Sequence, residues 1–170
     1  PTETDEDVLG IADLAEKVYQ VWKEVTPDPK RGVTTTVSTA CFVPKPHTAF
    51  QWEGQITREE YERRVKLLRE HMKGRSTVYH WHEADTSVLE AVLARGDRRL
   101  ADLLECVWHK GARLDTWDEY FSYDRWAEAM EECGVDPAFY AQRQRDKDEI
   151  LPWSVTSTGV PFPSTVNDSG

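Results

Sequence analysis

The sequence predicts an α/β fold followed by a helical extension, and three observations carry that expectation. Apolar residues recur at steps of three and four from Val8 to Val25. The run Val33 to Val43 is rich in Thr and Val. Thr57 with Glu60 forms a capping-box pattern ahead of a second apolar period. Helix, strand, helix is the repeating unit of a parallel α/β sheet.

Taken in order, Thr2 or Thr4 caps a first helix whose acidic opening turn (Glu3, Asp5, Glu6, Asp7) suits the helix dipole. Val8, Ile11, Leu14, Val18, Val21 or Trp22, and Val25 form its apolar stripe, and Pro27, Asp28, Pro29 and Gly32 end it. The strand Val33 to Val43 follows and breaks at Pro44 and Pro46. A second helix runs from Thr57 to about Lys73, burying Tyr61, Val65, Leu68 and Met72, and Gly74 stops it. Ser76 to His82 reads as a short extended segment. Helices are then expected from Asp85 or Thr86 to Gly96, from Asp97 to Gly111, and from Ser122 to Gly134, the last with Trp126, Met130 and Cys133 on one face. Asp136-Pro137 starts a final short helix. The expected organisation is an α/β part over 1–75, a Trp-rich helical extension over 76–155 and a disordered tail over 156–170. A single strand cannot satisfy its own backbone groups, so the α/β part is expected to belong to a larger sheet or barrel.

The 170 residues include seven Trp, six Tyr and five Phe, enough aromatic material for a real core. A formal charge of -10 argues against a nucleic-acid backbone or an anionic membrane as the main partner. No apolar run approaches a membrane span and nothing at the N-terminus resembles a signal peptide, so a cytoplasmic location is expected. Cys41, Cys106 and Cys133 form no CxxC or CxxxCxxC pattern; free thiols in a reducing compartment are expected, with no metal site.

Candidate site residues cluster around the strand. Thr34, Thr36, Ser38, Ala40 and Phe42 share one face, which is small and hydroxylic until Phe42. That face suits either the wall of a polar cavity or a strand near a sheet edge. Lys45 and His47 sit just past the carboxyl end of the strand, where α/β sheets and barrels place ligands. Lys45 could hold a carboxylate or phosphate and His47 could move a proton. A rigid surface turn set by the two prolines is the competing reading. His80 and His82 share a face of an extended segment, but no third ligand stands at a recognisable spacing. Trp108, Trp117, Tyr120, Phe121, Tyr123 and Trp126 read most simply as the core of the helical extension.

The opening PTETDED resembles the G-(L/F)-P-(G/T)-E-T-x-E-D segment that follows a late barrel strand in radical S-adenosylmethionine (radical SAM) enzymes. VSTACFVPKPHTAFQW resembles the next strand and loop in a branch of that superfamily carrying an N-terminal B12-binding-type domain. The similarity continues through the long block from Leu89 to Trp153. The resemblance implies the terminal strand-helix units of a partial (β/α) TIM-type barrel, followed by the family's helical extension. It further implies a parent oxidoreductase that uses a [4Fe-4S] cluster to cleave S-adenosylmethionine to a 5′-deoxyadenosyl radical, with cobalamin as an open possibility and the substrate unspecified. The CxxxCxxC motif, the earlier barrel strands and the B12-binding-type domain lie outside this chain, which is therefore expected to be inactive alone. Within the resemblance, Phe42 and Val43 fall near adenine, and Ser38, Lys45 and His47 on the substrate side. Cys41 is expected to be structural. The alternative, from a different class, is a non-catalytic helical protein-interaction module.

Overall fold

Local signals set most helix ends. In the computed structural model, which describes residues 2–72, 74, 76–117 and 119–159, helix α1 spans Asp5–Val25. Its N-cap Thr4 accepts from the Asp7 amide while the Asp7 carboxylate accepts from the Thr4 amide, a complete capping box. Strand β1 (Thr35–Thr39) is shorter than the expected Val33–Val43. Helix α2 (Arg58–His71) starts at the Thr57 cap and buries Tyr61, Val65 and Leu68. The Glu60 carboxylate turns to Arg63 and Arg64, which hold it down to about 2. Strand β2 (Thr77–Trp81) and helices α3 (Ala84–Arg95), α4 (Leu100–His109), α5 (Tyr123–Glu132) and α6 (Pro137–Ala141) complete the order. Ser122 and Asp136 cap α5 and α6 as anticipated. Of the tail expected to be disordered, 160–170 lie outside the described residues.

The fold is helix-dominant α/β with a two-stranded parallel sheet. β1 and β2 pair from Thr35↔Thr77 to Thr39↔Trp81. This corrects the expectation that the strand has no partner in the chain. The segment Ser76 to His82, expected to be extended, holds β2, and α2 returns the chain parallel to β1 and provides the crossover that parallel pairing requires.

The chain forms two compact units, one comprising the chain up to Phe42 with Ile56–Val88, the other Val43–Gln55 with the chain from Leu89 onward. In the first, α1 packs on α2 and β1. Cys41, Tyr61, Val65 and Ala84 form its core, with Ile56, Tyr79 and Trp81 packed against them. The Thr39 hydroxyl and the Tyr79 hydroxyl share a 2.7 Å hydrogen bond there. Tyr61 donates to the His82 carbonyl at 2.8 Å, and burial pushes its hydroxyl up to about 12. The apolar stripe of α1 is only partly covered: Val8 and Ala15 are buried, but Leu14 (62% exposed), Val18, Val21 and Val25 (72%) face away from this core.

In the second unit, Ala91, Val92, Leu103, Ala129 and Ala141 are fully buried. Leu100, Leu103 and Val107 give α4 one apolar stripe, and α4 packs on α5. Trp126 is buried and its indole donates to Asp115 at 2.7 Å. Trp108, Trp117 and Tyr120 are about half exposed or more, against the expectation of a common aromatic core. Trp108 lies on the α4 face away from Leu103, beneath the guanidinium of Arg113, and Trp117 and Tyr120 stand in the connection to α5. Among the described residues, no helix is long and apolar enough to cross a membrane.

Candidate functional site

Pleating sorts the residues around β1 before any ligand is considered. Residues 35, 37 and 39 turn partly inward and Cys41 is buried, while Thr36, Ser38, Ala40 and Phe42 are exposed. Ser38 stands opposite His80, and Thr36 opposite Val78, on the same outward face. The hydroxylic face is thus the open face of the sheet. A separate recess of about 220 Å³ in this unit is lined by Tyr61, Lys66, Arg69, Trp81, His82 and Glu83, with the Arg69 guanidinium over the Trp81 ring.

Val43, Lys45 and His47 belong to the second unit, in the loop that follows β1. Val43 and Pro44 are buried, and Lys45 pairs with Glu90 on α3. His47 sits at φ 59°, a left-handed conformation uncommon for a side chain of this size. Two bonds hold it: its amide donates to the Gln51 side-chain oxygen at 3.3 Å, and its Nε2 lies 2.9 Å from the Thr156 hydroxyl. Gln51 is buried and also accepts from the Trp153 indole at 2.7 Å. His47, Gln51, Trp52, Lys147, Glu149 and Trp153 line a cavity of about 270 Å³. Of the expected substrate-side residues, His47 lines this recess.

Backbone bonds fix the rest of the loop. The Gln55 amide donates to the Ala141 carbonyl at 2.8 Å, and the Arg145 amide to the Trp52 carbonyl at 2.7 Å. Gly54 passes so close to α6 that an added Cβ would lie 2.1 Å from the Gln142 carbonyl oxygen. Arg95, fully buried, donates to the Glu53 and Arg143 carbonyls. Arg145, also buried, donates to the Arg95 carbonyl at 3.0 Å and stacks on Trp153. Burial and the neighbouring guanidinium groups push Arg95 down to about 10 and lower Arg145 as well. Glu149, a carboxylate beside them, takes a two-pronged bond from Arg143 at 2.7 Å and is held below the usual carboxylate range by it.

Gln51 and Trp52 were visible in the sequence as part of the proline-braced loop. Trp153, Thr156, Lys147 and Glu149 were not: they meet the loop across about a hundred residues, and no spacing rule reaches that far. His80 and His82 gain no third ligand, since no group of three His, Cys, Asp or Glu side chains able to hold a metal occurs among the described residues.

No family model matches this chain, and no solved structure does. An uncharacterized protein of the archaeon Methanocaldococcus jannaschii is similar to it, 24% identical over 135 residues. That alignment takes in 79% of this chain and 28% of the relative, so the chain spans little more than a quarter of the length of the curated relative it matches.

Proposed function

We propose that this chain is the late strand-helix portion and helical extension of a radical SAM oxidoreductase, and that it contributes a wall of the active site rather than the reaction centre. The observation that carries the reading is the exposed stripe Leu14, Val18, Val21 and Val25 on α1. Four branched apolar residues at steps of four, three and four make a continuous ridge, the pattern of a helix packed against a neighbour. Beside it, the open face of a sheet of only two strands carries Phe42 and Val78 into solvent. Two parallel strands are too few for an independent sheet. Preceding strand-helix units would cover both surfaces, and the much longer relative supports a polypeptide that contains them.

The donor set here does not fit a [4Fe-4S] cluster. Cys41 is buried in the core of the first unit, and Cys106 and Cys133 lie on α4 and at the end of α5 in the second. Positions 41, 106 and 133 do not stand at the CxxxCxxC spacing that such a cluster takes in this superfamily. In this reading the cluster, cofactor cleavage and any cobalamin chemistry belong to the earlier barrel and the B12-binding-type domain. Its own contribution is positional. In this reading Phe42 and Val43 approach adenine, while Ser38, Lys45 and His47 face substrate.

The test is a longer polypeptide that joins this chain to its upstream coding sequence, reconstituted anaerobically with iron and sulfide. Cluster absorbance and release of 5′-deoxyadenosine from S-adenosylmethionine are expected. A folded, cluster-loaded protein that never cleaves the cofactor would falsify the proposal.

The exposed aromatic connection between α4 and α5 favours a second reading, a non-catalytic module that binds a protein through Trp117 and Tyr120. Under that reading, the isolated chain is a stable monomer and the α1 stripe has no role in assembly.

A further inference from the structure

The recess beside His47 is built around one buried amide. Gln51 is 4% exposed, and its side-chain oxygen accepts from the His47 amide at 3.3 Å and from the Trp153 indole at 2.7 Å. Two donors on one atom identify it as the oxygen. The amide nitrogen is what Gln51 has left to offer, and it meets no acceptor among the described residues. A buried donor without a partner is costly unless a ligand or water supplies the acceptor. The same recess carries Lys147, exposed and in no ion pair among the described residues. It also carries Ser154, whose oxygen takes the Leu151 amide at 3.1 Å and whose proton stays free to donate. The Thr156 proton goes to the Trp153 carbonyl at 2.9 Å, so His47 Nε2 donates to Thr156 and the neutral ring keeps Nδ1 as an acceptor. Glu149 brings a negative charge, but both its oxygens are held by Arg143 at 2.7 Å. All of these residues belong to the second unit.

We propose that this recess binds a small monocarboxylate with a flat apolar body, its carboxylate held by Lys147, the Gln51 amide nitrogen and the Ser154 hydroxyl. Charge selects the class. With Glu149 compensated by Arg143, Lys147 leaves one free positive charge in the lining, which matches a monoanion better than a phosphate dianion. The neutral His47 ring offers an acceptor and so takes no part in holding the anion. The walls select the rest. Trp52, Leu151 and Trp153 line the same space and suit a ring, and a volume of about 270 Å³ lies at the low end of small-molecule sites. The inference deepens the radical SAM reading and rests on it in one respect: His47 stands on the substrate side there, so the bound carboxylate is the substrate. Binding itself uses groups of this chain alone.

Benzoate is titrated into the isotope-labelled chain and followed by two-dimensional NMR, with benzamide as its neutral isostere and inorganic phosphate as a second anion. Benzoate should move the Trp153 indole and Gln51 side-chain amide cross-peaks saturably, while benzamide and phosphate leave them in place. Gln51→Glu keeps an acceptor for the His47 amide and the Trp153 indole but replaces the amide donor by a carboxylate oxygen, and it should abolish the benzoate response at Trp153. Lys147→Met, at an exposed position, should leave the fold intact and weaken benzoate about tenfold or more. The absence of a saturable benzoate shift would overturn the proposal, as would an equal response to benzamide or phosphate, or unchanged affinity in Lys147→Met. These outcomes are separate from cofactor cleavage. Benzoate binding by this chain, beside a longer polypeptide that never releases 5′-deoxyadenosine, would uphold the site and overturn the radical SAM reading alone.

Discussion

The two units solve opposite problems. The first has a small core, Cys41, Tyr61, Val65 and Ala84, and leaves an apolar ridge on α1 and one sheet face uncovered. The second encloses charge: Arg95 and Arg145 are buried near the Glu149 carboxylate, and their terminal nitrogens donate to the carbonyls of Glu53, Arg143 and Arg95 while both Nε atoms find no hydrogen-bond partner among the described residues. A surface that wants a neighbour and a centre whose buried charge leans on its own backbone differ in what mutation should do to them. Apolar exposure costs little in the isolated chain and much in assembly. Buried guanidinium groups held by carbonyls are the reverse, because removing one strands polar groups that water cannot reach.

Four variants can break or sharpen that contrast. Arg95→Ala should cost the most, about 4 kcal/mol, since it leaves two buried carbonyls unpaired and a side-chain-sized hole. Chemical denaturation followed by tryptophan fluorescence would show it; a loss under about 1 kcal/mol would mean the arginine is dispensable to the fold. Leu68→Ala, on the buried side of α2, should cost about 3 kcal/mol, with the loss confined by hydrogen exchange to peptides of the first unit. If peptides from α4 and α5 lose protection to the same extent, the units do not unfold separately.

Glu149→Gln should cost about 2 kcal/mol at neutral pH, because Arg143 and Arg145 lose their shared anion. The sign of its pH dependence follows from the depressed carboxyl. The folded value lies below the usual 4.5, so the contribution is complete above 4.5 and is lost as the pH falls through the folded value. The unmodified chain should therefore lose stability below about pH 4.5 faster than Glu149→Gln does. Parallel acid melting curves would contradict the assignment. At the smallest end, Val18→Lys with Val21→Glu should change the isolated chain by under about 0.5 kcal/mol. In the longer polypeptide the same pair should abolish soluble assembly or cofactor cleavage. A large loss of stability in the isolated chain would place the stripe in this chain's own core instead.

Gly54 offers an independent check on how the loop after β1 is held. Alanine there meets the Gln142 carbonyl, and backbone on both sides leaves little room to yield. Gly54→Ala is expected to loosen the loop and shift the fluorescence of Trp153, whose indole reports on Gln51.

Legibility in the sequence followed the range of the interaction. Thr4 with Asp7, Thr57 with the Glu60 amide, Ser122 with the Arg125 amide and Asp136 with the Ala138 amide are bonds between residues two or three apart. Each was readable because the partner sits within one helical turn. The alternation of β1 was readable too, but not which face is open, since α1 and α2 decide that. Lys45 and His47 stood out by type and position, whereas Glu90 and Thr156, which hold them, could not be named from spacing.

The sequence by itself determined the helices, most of their caps, a strand within Val33 to Val43 and the acidic surface, because groups a few residues apart supply the energies concerned. Only the tertiary structure decided that β1 has a partner 42 positions later in register, and that the ridge on α1 stays bare. It alone brought the loop of His47 together with Arg95, Arg145 and Trp153. Burial and strand pairing depend on which distant segments the chain brings together, and local composition carries no record of that choice.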